Sequence, residues 1–214
     1  MMQISRFVVN MVQENCYLVW DETREAVLID CGALYEEEQK AIVDFVRQHQ
    51  LKVVRLLNTH GHFDHVFGAQ FVNETFGVRI EMCADEKETY EQAAMQMKGF
   101  LHVDCPFNTL VVENFFKDGD ELMFGNTVLK VIATPGHTPG GVCFYCESEG
   151  VLFSGDSLFK RSIGRCDLPG GNENLLISSL KERVLTLPEK VQVLPGHGDM
   201  TTIAEEKRLN YYLK

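Results

Sequence analysis

No stretch of this chain approaches the ~18 consecutive apolar residues that a membrane span needs, so a transmembrane helix is not expected. The first twenty residues carry Arg6, Gln13, Glu14 and Asn15 among their apolar positions. They offer neither a continuous hydrophobic segment nor a small-residue cleavage site, and no secretory signal is expected. Basic residues are also short: 20 Lys and Arg face 31 Asp and Glu, for a formal net charge of -11. A surface of that sign disfavours sequence-independent binding of nucleic acid. No Pro/Gly/Ser-rich linker and no block of like charge marks a boundary, which makes residues 1–214 one expected domain. Seven cysteines, an odd number without framework spacing, point to free thiols in a reducing cytoplasm rather than to a disulfide scaffold.

What remains is ordinary globular composition, 45% hydrophobic and 24% charged, enough for a sizeable core. Ile4 to Val9, Cys16 to Trp20 and Ala26 to Asp30 read as strands. Ala41, Ile42, Phe45 and Val46 recur at helical spacing between Tyr35 and His49. Val53 to Leu57 reads as a buried strand, Asp64 to Phe76 as a helix stopped by Gly77, and Val78 to Cys83 as a short strand. Asp85 to Lys98 is an expected helix, and residues 99–114 read as a lid or a long loop. Strands follow over Glu121 to Phe124, Thr127 to Ala133, Gly141 to Cys146 and Val151 to Ser154. Glu173 to Leu187 is an amphipathic helix, Val191 to Leu194 a last strand and Thr202 to Leu213 a last helix. Cys143 and Cys146 lie three apart in one strand and face opposite sides, which makes them core residues rather than a redox pair.

Chemistry concentrates in Thr59-His60-Gly61-His62-Phe63-Asp64-His65, directly after the Val53 to Leu57 strand. Imidazole and carboxylate are the ligands that zinc, iron and manganese accept, and four such groups in six positions suggest two adjacent cations. Three further loops share the pattern of a strand, a glycine and a ligand. They are Thr134-Pro135-Gly136-His137-Thr138-Pro139-Gly140, Ser154-Gly155-Asp156-Ser157 and Pro195-Gly196-His197-Gly198-Asp199. Glycine allows the tight bend that presents the next side chain to a neighbouring loop. Singly, each reads as a turn or cap; with the Thr59 to His65 loop they hold five of the seven histidines.

His60-x-His62-x-Asp64-His65, with His137, Asp156 and His197 in these contexts, resembles the metallo-β-lactamase superfamily. The resemblance implies an α/β fold, a four-layer αββα sandwich, with a two-metal site between the sheets. It implies that His60, His62 and His137 hold one metal and Asp64, His65 and His197 the other, with Asp156 shared. Asp64 and Asp156 are thereby the expected catalytic carboxylates, and Asp30 a supporting acid. Two divalent ions, zinc foremost and iron or manganese admissible, would lower the pKa of a shared water for attack on an acyl carbonyl. Cys31, near the site in sequence, reads as a buried structural thiol.

Gly155-Asp156-Ser157-Leu158-Phe159, followed by Ser162-Ile163-Gly164-Arg165-Cys166-Asp167-Leu168-Pro169-Gly170-Gly171, is similar to the short glyoxalase II-like hydrolases. That similarity implies a small-molecule thioester substrate of the S-lactoylglutathione type and no nucleic-acid or membrane partner. Arg165 is the expected substrate-binding residue, although it can equally brace against Asp167. Where classical glyoxalase II has a ligand-contacting tyrosine, this chain has Asp167, and no helical domain is expected after the last motif. The alternative is a persulfide dioxygenase of the same fold, with one iron on His60, His137 and Asp156.

Overall fold

The computed structural model describes residues 1–102, 109–112 and 114–214. The chain opens with β1 (Gln3–Val9), β2 (Glu14–Trp20), β3 (Glu25–Ile29), α1 (Glu36–Gln48) and β4 (Lys52–Leu57). Next come α2 (Phe63–Val66), α3 (Ala69–Phe76), β5 (Ile80–Cys83), α4 (Lys87–Glu91), α5 (Ala93–Leu101) and β6 (Asn114–Phe116). The second half holds β7 (Glu121–Phe124), β8 (Thr127–Ala133), β9 (Val142–Cys146), β10 (Val151–Gly155) and the small hairpin β11 (Leu158–Phe159) to β12 (Ser162–Ile163). It ends with α6 (Glu173–Ser179), β13 (Gln192–Pro195), β14 (Thr201–Thr202) and α7 (Ile203–Leu209).

Two six-stranded sheets result, ordered β1-β2-β3-β4-β5-β6 and β14-β13-β10-β9-β8-β7. The period-2 alternation of strand side chains sorts each sheet into two faces. Tyr17, Val19, Val27 and Ile29 of the first sheet meet Val131, Phe144, Phe153 and Leu194 of the second in one shared core. The opposite face of the first sheet, with Leu18, Leu28 and Leu56, packs under Ile42, Val46 and Val72 of α1 and α3. The outer face of the second sheet, with Cys143, Tyr145 and Leu152, packs under Leu176, Val184 and Ile203. The layers are therefore helix, sheet, sheet and helix, as expected. Cys143 and Cys146 do fall in different cores.

Several expected helices are interrupted, two of them at a tertiary contact. Asp64 to Phe76 divides into α2 and α3 because the Gly68 N–H donates to the Cys31 carbonyl at 2.8 Å. A Cβ at Gly68 would lie 2.7 Å from Cys31 Sγ, so close packing against that buried thiol fixes the break. Asp85 to Lys98 begins instead as a tight turn over Ala84–Glu86, which turns Glu86 inward, and steps at Gln92 between α4 and α5. After α6, residues 180–184 form a wider turn in which the Leu185 N–H reaches the Leu180 carbonyl. The last helix breaks at Asn210, whose side chain accepts from the Tyr212 N–H and donates to Ser162 and Glu206. Strands β6, β11, β12 and β14, two or three residues each, carry no periodicity that a sequence pattern could reveal. The lid or loop expected over 99–114 falls largely on residues outside the described set. Among the described residues, no helix is long and apolar enough to cross a membrane.

Strand direction positions the site. Strands β3 and β4 are parallel to each other, as are β10 and β13, while β8 and β10 both run antiparallel to β9. The ligand-bearing loops thus all leave the carboxyl ends of strands, where α/β sheets present their binding crevices. Bonds between the sheets pin these ends together: Val142 N–H to the Thr59 carbonyl at 3.0 Å, and Asn15 N–H to the Gly196 carbonyl at 2.7 Å.

Candidate metal centre

The seven residues singled out by their loops converge. Ligand atoms of His60, His62 and His137 lie within 4.8 Å of one another, and so do those of Asp64, His65 and His197. Asp156 stands between the two groups, with Oδ1 3.3 Å from His65 Nε2 and Oδ2 3.6 Å from His137 Nε2 and 3.7 Å from His197 Nε2. A third grouping, Asp30 with His60 and His65, also lies within 4.8 Å. Asp30 is already engaged, however: it accepts from the Thr59 N–H at 2.7 Å and Thr59 Oγ1 at 2.6 Å.

Two backbone features permit this density. Gly155 takes φ +48, and a Cβ there would lie 2.2 Å from Thr59 Oγ1, so the turn before Asp156 needs glycine. A Cβ at Gly196 would lie 2.4 Å from Asp156 Oδ1 and 2.6 Å from His65 Cε1. Asp30 itself adopts φ 50, a left-handed conformation that Asp tolerates better than most residues.

The outward nitrogens of three histidines are hydrogen-bonded to an oxygen and that of a fourth faces a carboxylate, and this decides what faces inward. His137 Nδ1 donates to the Arg165 carbonyl at 2.7 Å, and His197 Nδ1 to the Gln13 carbonyl at 3.2 Å. His65 Nδ1 lies 3.2 Å from Asp30 Oδ2. Thr59 Oγ1 gives its proton to Asp30, so it accepts from His60 Nδ1 at 3.1 Å. In each neutral ring the Nε2 lone pair is left pointing inward. His60 Nε2 and Asp156 Oδ1 are buried with no hydrogen-bond partner. His65 Nε2 and His197 Nε2 stand 3.3 Å apart, and His62 Nδ1 and His137 Nε2 2.9 Å apart. Inward-facing ring nitrogens at such distances, three of them backed by a hydrogen bond to an oxygen on the far side of the ring, are the donor arrangement that suits divalent cations. The residues present fit two metal ions.

The electrostatics divide the site. Burial, reinforced by His65, holds His60 well below the usual histidine range, and burial with neighbouring His137 brings His62 down to about 4. Burial would lower His65 too, but Asp156 and Asp64 beside it prevail and raise it. Burial opposes ionisation of Asp156, yet His65 and His197 hold its carboxyl well below the ordinary range. Asp64 is likewise lowered by His65 and His197 against the effect of burial. Both carboxylates are therefore in the charged form that ligates metal.

Arg165 is present at the site in two ways. Its carbonyl orients His137, while its guanidinium donates from Nε and Nη2 to the two carboxylate oxygens of Asp167, both at 2.8 Å. The same guanidinium lies 5.7 Å from the centre of the Phe100 ring. Its side chain is thus occupied as a brace.

Other contributors carry no motif. Glu86 is fully buried, accepting from the Gly61 N–H at 2.8 Å and the Gly140 N–H at 2.7 Å. One carboxylate thereby joins the loop of His60 and His62 to the loop of His137, and burial raises its pKa. Asn58 Nδ2 donates to the His65 carbonyl at 2.8 Å. Glu14, also buried, accepts from the Gly32 N–H at 3.1 Å, and burial pushes its pKa well up. In sequence, Glu86 reads as the solvated first turn of a helix and Glu14 as a hairpin turn; only their distant partners reveal them.

A cavity of about 680 Å³ opens from the centre, bounded by His62, His137, Asp156 and His197 at its floor. Its walls come from Phe63, Met95 and Phe100 on one side and Arg165, Leu168 and Pro169 on the other. Volumes of ~300–1,000 Å³ accommodate drug-sized molecules.

Comparison with known proteins agrees with this geometry. The family model of the Metallo-beta-lactamase superfamily matches residues 9–197. Hydroxyacylglutathione hydrolase GloC of Haemophilus influenzae is 35% identical over 218 residues, spanning 99% of this chain and 98% of that protein. The crystal structure of BLEG-1 B3 metallo-beta-lactamase superimposes with a TM-score of 0.91 at 32% identity, covering 99% of this chain and all of that one. TTHA1623, solved in a di-iron-bound form, superimposes with a TM-score of 0.86 at 35% identity, covering 98% of this chain and all of that one.

Proposed function

The chain belongs to the metallo-β-lactamase superfamily of metal-dependent hydrolases, and on that premise we propose that it cleaves a thioester of the hydroxyacyl-thiol type, as in S-lactoylglutathione. The observation that carries this reading is the pair of ligand groups on either side of Asp156 at the floor of a substrate-sized cavity. His60, His62 and His137 would hold one metal, Asp64, His65 and His197 the second, and Asp156 would be shared. Two divalent ions held there, zinc or iron or manganese, would supply an acidified water and Lewis-acid stabilisation of the developing oxyanion.

The chain's own residues do the rest. No Ser or Cys lines the cavity among the described residues, and the nucleophile we assign is water. Asp64 and Asp156, both facing the cavity, would orient that water and accept its proton. The water oxygen adds to the acyl carbon, the carbon–sulfur bond breaks, and the sulfur leaves as thiolate. Protonation then gives a free thiol and a carboxylic acid. Phe63, Leu168 and Phe100 give the cavity walls apolar surface. The resemblance to GloC supports the thioester class.

The one-iron dioxygenase reading uses His60, His137 and Asp156 and gives Asp64, His65 and His197 no task. The close assembly of that second group favours the hydrolase. Metal-loaded protein should consume S-lactoylglutathione or a simpler acyl thioester with release of one thiol per acid. Lack of turnover on every thioester, alongside oxygen uptake with a persulfide, would replace the hydrolase with the dioxygenase.

A further inference from the structure

The cavity continues outward from the metal centre between two walls, and the limb of a thioester that follows the sulfur must lie there. One wall comes from α4, α5 and the turn before them, and presents Asp85, Glu88 and Gln92. Asp85 and Glu88 are both exposed at the mouth. The other wall is the segment from Arg165 to Gly170, faced by the apolar Phe63, Met95 and Phe100. Among the described residues lining the cavity, Arg165 is the only lysine or arginine. Its guanidinium is already held by both oxygens of Asp167. Among the described residues lining the outer cavity, then, two carboxylates, Asp85 and Glu88, stand with one cation whose charge is already matched by Asp167.

We propose that this outer wall selects substrates by the charge of the thiol carrier, accepting neutral or cationic carriers ahead of anionic ones, with Asp85 and Glu88 as the specificity-determining residues. The proposal rests on the thioester-hydrolase reading and narrows it. A glutathione conjugate carries two carboxylates and one ammonium on the limb beyond sulfur, and is net negative. Like charges brought together at a binding surface suppress the wrong partner. The cavity volume of about 680 Å³ admits such a conjugate, so charge rather than size would discriminate. An apolar carrier would gain from Met95 and Phe100, and a quaternary ammonium from the face of Phe100 as well.

The test varies only the thiol under a constant acetyl group, on metal-loaded protein. Acetylthiocholine is cationic, S-acetyl-N-acetylcysteamine neutral and S-acetylglutathione anionic. The expected kcat/KM is lowest for the glutathione ester, by about tenfold against the neutral ester. The double variant Asp85→Asn/Glu88→Gln should raise the anionic-to-neutral ratio about fivefold or more, and Asp167→Asn, by releasing Arg165, should raise it further. Binding of the matching thioethers, S-methylglutathione and S-methylthiocholine, gives a readout independent of turnover and should follow the same order. A glutathione ester that is the best of the three, or a ratio unmoved by the double variant, overturns the proposal while leaving the hydrolase intact. Absence of turnover on all three overturns the thioesterase reading and this proposal with it.

Discussion

Gly61 gives its N–H to Glu86 at 2.8 Å, and the other oxygen of that carboxylate holds Gly140 at 2.7 Å. A single buried side chain thus sets the spacing between the two loops that supply His60, His62 and His137. Glu86→Ala strands two buried N–H groups, and Glu86→Gln keeps one acceptor and turns an amide N–H₂ toward the other. A buried donor without a partner costs about 1–3 kcal/mol. The urea midpoint should therefore fall for both variants, more for alanine. An unchanged midpoint in Glu86→Ala would show that the clamp contributes nothing.

Asp30 supports the centre from behind, receiving Thr59 through two bonds and facing His65 Nδ1 at 3.2 Å. Asp30→Asn preserves size and removes the charge that orients His65. Loss of such a supporting carboxylate typically weakens metal affinity 10–100-fold, and about that loss is expected in competition with a chelator. Wild-type affinity in this variant would make Asp30 a turn residue only.

The strand–loop–ligand pattern was readable because each ligand sits within a few residues of its own strand, and the ligand types announce their chemistry. Glu86 was not readable, because its partners lie 25 and 54 residues away and nothing local distinguishes it from a solvated helix start. The break between α2 and α3 was hidden for the same reason: Gly68 stops the helix by touching Cys31, far back in the chain. Tertiary contacts of this kind override local periodicity. In sequence Arg165 fits a substrate ligand and a brace equally, and only geometry shows its guanidinium on Asp167.

His62 offers a pH prediction with a definite sign. Burial and the nearby His137 bring its pKa from 6.5 to about 4. As pH falls from 6.5 toward 4, the unfolded chain takes up a proton that the folded ring refuses. The contribution of His62 to stability is thus fully present above pH 6.5 and is lost through that window. His65 is raised and acts with the opposite sign, so the readout must be specific to one residue. In metal-free protein, the ring resonances of His62 should remain those of neutral imidazole at pH 5.5. A midpoint near 6.5 would contradict the burial of this ring among its neighbours.

Asp156 stands between the two ligand groups and reaches both. Asp156→Ala and, on one side only, His60→Ala should each lower thioester hydrolysis by at least about 10²–10³-fold. Both should reduce bound metal. Full activity in either variant would remove the mechanism.

The most direct test is elemental analysis of the protein purified without added metal, with each metal identified and counted per chain. Close to two ions per chain, as zinc or as zinc mixed with iron or manganese, is the expected result, since two ligand groups face each other across Asp156. Close to one iron, with no second ion taken up on titration, would contradict a two-metal hydrolase.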